Sequence, residues 1–91
     1  MSQPVRRRVI VHGRVQGVGF RYTVRSAARS REVAGWVRNC PDGTVEAVFE
    51  GAPDAVESMV NACERGPRGA AVERADVAEE EPEGLSGFEV R

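Results

Sequence analysis

Ninety-one residues, 41% hydrophobic and 30% charged at a net charge of −1, describe one soluble globular domain spanning 1–91, near the lower size limit for folding without staples. That balance excludes a disordered chain and a basic nucleic-acid platform, and no apolar run approaches the roughly 20 residues of a membrane span. Thirteen arginines and no lysine exclude a Schiff base and a P-loop lysine, while one histidine and two cysteines, Cys40 and Cys63, lack metal-ligand spacing. The N-terminal "MSQPVRRRVIV" has no apolar h-region before a cleavage site, so the expected compartment is the cytoplasm, with both cysteines reduced.

The pattern "VRRRVIVHGR" predicts a first strand over about 5–14, with Val9, Val11 and Val15 on one face and Arg8, His12 and Arg14 on the other. From Phe20 the period changes. Phe20, Val24, Ala27, Ala28 and Arg31 fall on one side of a helix ending near Glu32. "VAGWVRNC" predicts a second strand, "PDG" at 41–43 a turn, and "TVEAVFEG" a third strand with Val45, Ala47 and Phe49 inward and Glu46 and Glu50 outward. In "PDAVESMVNACERG", Pro53 and Asp54 suit a helix start, Gly66 and Pro67 stop it, and Val56, Met59, Val60 and Cys63 share the buried face. "AAVERADVAEEE" predicts a polar edge strand, and "SGFEVR" a short fifth.

The order βαββαβ is the split βαβ pattern of the ferredoxin-like α+β sandwich. It is a four-stranded antiparallel sheet of order 4-1-3-2, with both helices on one face. In that order Arg6, Arg7 and Arg8 should face Glu79, Glu80 and Glu81 across the first and fourth strands, which argues against a nucleic-acid patch there.

The connection into the first helix, "GRVQGVGFR", carries the chemistry. Gly17 and Gly19 permit a curl of positive φ whose amides turn inward as an anion nest, and the helix N-terminus adds its partial positive charge. Arg21 in the first helical turn is disfavoured by the macrodipole until an anion lies between it and those amides. Its planar fork matches phosphate oxygens. The segment is neither a Walker A loop nor a dinucleotide fingerprint, since no Gly-Lys-Ser/Thr follows and Tyr22 stands where a third glycine belongs. A plain glycine-rich connection is the alternative reading.

Asn39 ends the second strand, about 9–10 Å from the end of the first, on the face the helices cover. A buried carboxamide there needs partners. It either caps the "NCPDG" turn or faces a ligand in the loop. His12 lies on the opposite face by strand parity.

"GRVQGVGFR" followed by "GWVRNCPDGTVE", and by the closing "GLSGFEVR", resembles the acylphosphatases over most of the chain. The resemblance implies hydrolysis of acyl phosphates to carboxylate and inorganic phosphate without metal or cofactor. It implies Arg21 as the phosphate-binding arginine, Asn39 as holder of the attacking water, and the amides of Gln16, Gly17, Val18, Gly19, Phe20 and Arg21 as the cradle. The expected partners are a small acyl phosphate and, as product or competitor, inorganic phosphate or sulfate, bound by a monomer with no nucleic acid or membrane. The rival readings are a non-catalytic anion-sensing or regulatory module, as in maturation enzymes that handle carbamoyl phosphate, and an RNA-binding sheet using Trp36 and Tyr22.

Overall fold

The structure is a computed structural model describing residues 3–91. The β-branched run that contains Val5, Val9, Ile10 and Val11 forms β1 (Val5–Arg14). The chain then passes through α1 (Phe20–Ser30), β2 (Ala34–Asn39), β3 (Val45–Gly51), α2 (Pro53–Arg65), β4 (Ala71–Glu80) and β5 (Phe88–Val90). The sheet order is β4-β1-β3-β2-β5. The ferredoxin-like arrangement expected from the sequence is therefore present. It has one difference: β5 pairs with β2 in parallel, Gly35 opposite Phe88, so the full five-stranded sheet is mixed.

One face of the sheet and both helices enclose the core. Val9, Val11, Val37, Val45, Ala47 and Phe49 from the strands meet Phe20, Val24 and Ala28 of α1 and Val56, Met59, Val60 and Cys63 of α2. Each fully buried valine, phenylalanine or methionine contributes about 1.5–3 kcal/mol. Phe88 stacks on Phe49 with ring centroids 5.7 Å apart, which ties the short β5 into this core. The same burial pushes the Cys63 thiol up to about 12, and both cysteines are free. Arg31, expected on the buried face of α1, lies just past the helix end and is exposed.

The other face of the sheet is closed by ion pairs. Arg6 stands opposite Glu80, and Arg8, opposite Ala78, reaches Glu80 diagonally at 2.7 Å; Arg7 is opposite Glu79, as expected, but by strand alternation that pair lies on the side of the sheet that carries Val9 and Val11. Glu81 lies beyond the end of β4 and takes no part in this register. Glu50 does point to this outer face but is only 4% exposed. It accepts from Arg6 Nη1 at 2.6 Å and from the amides of Glu83, Gly84 and Leu85 at 3.0–3.1 Å, which pins the segment leading to β5. Burial opposes its ionisation, yet the amides and Arg6 outweigh burial and hold its carboxyl below the ordinary carboxylate range.

Candidate active site

Gly17 and Gly19 sit at φ 75° and 77°, the left-handed region that L side chains avoid, and their curl carries β1 into α1. A β-carbon at either would meet no protein atom within 4 Å, so the backbone conformation, not crowding, selects glycine at both. Gly19 is the N-cap of α1. It offers no side-chain cap, and the first turn contains no acidic residue. The amides of Phe20, Arg21 and Tyr22 are therefore left without helical acceptors. Among the described residues, the amides of Gln16, Gly17, Val18 and Gly19 likewise donate to no protein acceptor. The result is a concentration of unpaired N–H groups at the positive end of a helix, the physical definition of an anion cradle.

Phe20 anchors this cradle by burying its ring in the core at 2% exposure, and Val18 packs partly against the same core. Gln16 fixes the other end with its side chain. Its Nε2 donates to the carbonyls of Cys40 at 2.8 Å and Thr44 at 3.0 Å, binding the loop to the β2–β3 hairpin. That tie has no signature in the local spacing of the loop.

Arg21 and Asn39 line the same cavity, of about 180 Å³, together with Val15, Gly17, Gly19, Phe20 and Tyr22. Eighteen residues apart in sequence, they meet because β1 and β2 are parallel with β3 between them, so both strands end at one edge of the sheet. The alternative role for Asn39, capping the hairpin turn, is filled by another residue. Asp42 Oδ1 accepts from the Thr44 amide at 3.0 Å and from its hydroxyl at 2.6 Å, which lowers the Asp42 carboxyl below its ordinary range. Among the described residues the Asn39 carboxamide has no hydrogen-bond partner, leaving it available to whatever enters the cavity. Arg21 Nη1 donates to the Arg91 carbonyl at 3.2 Å.

Among the described residues, no carboxylate, imidazole or thiol side chain lines this cavity. His12 lies on the outer face of the sheet, 2.9 Å from Asp76. Among the described residues no group of three or more His, Cys, Asp or Glu side chains is placed to hold a metal ion. A wider depression of about 400 Å³ beside Arg6 and Arg7 is lined by arginines already paired with Glu80 and Glu79, so it offers an anion no comparable set of free donors. Trp36, weighed above as a base-stacking platform, has the guanidinium carbons of Arg91 and Arg8 at 4.7 and 5.7 Å from its ring centroid.

A ferredoxin-like α+β domain in which an unpaired amide curl, an arginine and a carboxamide converge at one sheet edge has the donor set of an anion-binding site. The family model described as Acylphosphatase matches residues 7–90. An acylphosphatase of Trichormus variabilis is 59% identical over 90 residues, covering 99% of this chain and 89% of that protein. The crystal structure of acylphosphatase from Bacillus subtilis superposes with a TM-score of 0.91 at 43% identity, covering 96% of this chain and 98% of that one. The structure of an acylphosphatase from Coxiella burnetii gives 0.92 at 37% identity with full coverage of both. The chain belongs to the acylphosphatase family, and it is an acylphosphatase enzyme.

Proposed function

We propose that the cavity holds the phosphoryl group of an acyl phosphate on the amides from Gln16 to Arg21 and on the Arg21 guanidinium, while the Asn39 carboxamide stations the attacking water. The observation that carries this reading is the convergence of Arg21, Asn39 and the left-handed glycine curl on one cavity.

The chemistry suits so sparse a site. Water oxygen forms a bond to phosphorus as the bond from phosphorus to the acyl oxygen breaks, and the acyl oxygen leaves with the electron pair as a carboxylate. That leaving group is a weak base and needs no general acid. The remaining work is to grip the phosphoryl group, spread its charge over amides and guanidinium, and align the water. A carboxamide does not titrate, so Asn39 orients the water and a substrate phosphate oxygen takes its proton. The scheme calls on no metal ion, no cofactor and no second copy of the chain.

Release of phosphate from benzoyl phosphate in the presence of EDTA, compared with an alkyl phosphate monoester, tests the proposal in wild type and Arg21→Ala. The expected result is rapid metal-independent hydrolysis of the acyl phosphate alone, lost in the variant. Binding of phosphate without turnover would favour an anion-sensing module instead.

A further inference from the structure

Arg21, Arg25 and Arg29 follow at four-residue intervals on α1, so they share one face with about 6 Å of rise between neighbours. Like charges at that spacing destabilise a helix, and Phe20–Ser30 contains neither Asp nor Glu to offset them. The outer two arginines are engaged with β5. Arg21 Nη1 donates to the Arg91 carbonyl just past that strand, and Arg29 Nη2 to the Phe88 carbonyl at 3.1 Å. Arg25, between them, has no ion pair or hydrogen bond among the described residues. Its guanidinium carbon lies 5.1 Å from the centroid of the Tyr22 ring. Tyr22 lines the cavity and is 57% exposed, a large aromatic left in solvent at the mouth of the site. A cation–π contact seats a guanidinium through its planar face and leaves its N–H donors free.

We propose that Tyr22 and Arg25 form the subsite for the acyl end of the substrate, and that this subsite favours acyl phosphates whose acyl group carries a second negative charge. The inference rests on the placement of the phosphoryl group given above. With phosphate at Arg21, a terminal carboxylate separated by a two- or three-carbon spacer comes within reach of Arg25, one helical turn along. The Tyr22 ring supplies an apolar wall for the spacer. Two anionic ends would also relieve the unbalanced row of arginines.

Succinyl phosphate and butyryl phosphate have carbon chains of equal length and differ in the terminal charge, so the ratio of their kcat/KM values reads the subsite. Wild type is expected to favour succinyl phosphate through a lower KM. Arg25→Gln is expected to reduce that ratio about three- to five-fold at low ionic strength, the range of one exposed ion pair, and salt should erase the difference. Arg25→Lys and Tyr22→Phe should retain most of the preference, whereas Tyr22→Ala should weaken it. Preference of wild type for butyryl phosphate, or an unchanged ratio in Arg25→Gln, overturns the subsite alone. Undiminished hydrolysis of both compounds by Arg21→Ala would instead strike the phosphoryl placement beneath it.

Discussion

Nη1 of Arg21 donates to the backbone carbonyl of Arg91 at 3.2 Å, joining residues 70 apart in sequence. The contact occupies one edge of the guanidinium and orients its remaining donors. Lysine could satisfy the Arg91 carbonyl or a phosphate oxygen as a point charge, but it cannot present a planar fork to one while held by the other. Arg21→Ala is expected to lower kcat on benzoyl phosphate by about 10²–10³-fold or more, as loss of a preorganised oxyanion donor does. Arg21→Lys should fall within about ten-fold of it. Both variants should lose inhibition by inorganic phosphate, read from the competitive constant.

Asn39 should separate turnover from binding. Among the described residues its carboxamide has no hydrogen-bond partner, and it lines the cavity together with the loop, so Asn39→Ala is expected to remove the proposed seat of the water and leave the loop amides in place. A misplaced nucleophile costs about 10²-fold in rate. The expected outcome is a loss of that order in kcat with the phosphate inhibition constant within about three-fold of wild type. An equal loss of phosphate affinity in the Asn39 and Arg21 variants would refute the division of roles.

The rate should depend weakly on pH. With no carboxylate, imidazole or thiol side chain lining the cavity among the described residues, none of them supplies a base that switches near neutrality. The kcat profile on benzoyl phosphate is expected to be flat between about pH 6 and 8. A His12→Gln variant should keep the same profile, because His12 is bound to Asp76 on the far face of the sheet.

The glycine curl between β1 and α1 was legible in sequence because its determinants are local. A left-handed curl demands glycine at specific positions, and an arginine in a first helical turn without neighbouring acids signals an anion. The placement of Asn39 followed from topology and strand parity together. What stayed hidden depends on contacts between distant segments. The hold of Gln16 on Cys40 and Thr44, of Arg91 on Arg21, and of Glu50 on residues 83–85 leaves no periodic trace. Strand parity assigned Glu50 to the outer face correctly, but parity says nothing of the loop that folds over that face. The parallel docking of β5 was hidden for the same reason, since three residues carry too little pattern to specify a partner.

Glu50 should therefore matter far more than its strand position suggests. Glu50→Ala leaves Arg6, a residue only 3% exposed, without its inner partner and strips the acceptor from three backbone amides. Breaking a buried ion pair from one side costs about 3–5 kcal/mol, and the surviving contact of Arg6 with Glu80 places the cost near the lower end. For a domain of this size that corresponds to a fall in Tm of more than about 10 °C. Glu79→Ala removes only the exposed pair with Arg7 and should change stability by less than about 1 kcal/mol. Thermal denaturation of the two variants side by side checks the contrast.

Acid should unfold the protein through the same face. Hydrogen bonds from Arg8, then Arg6, lower the Glu80 carboxyl from 4.5 to about 2, and Arg38 and Arg8 overcome burial to lower Glu46 as well. A carboxyl whose folded value lies below its unfolded one binds fewer protons in the native state. Its stabilisation is fully present above the unfolded value of about 4.5 and is lost as the pH falls through the folded value of about 2. Unfolding free energy from urea titrations should therefore be level near neutrality and decline progressively between about pH 4.5 and 2. Glu80→Gln should start lower at neutral pH and lose less on acidification, because the proton that acid would add is already replaced by the amide. A Glu80→Gln curve parallel to wild type through that window would show that the Arg6–Arg8–Glu80 cluster does not govern acid sensitivity.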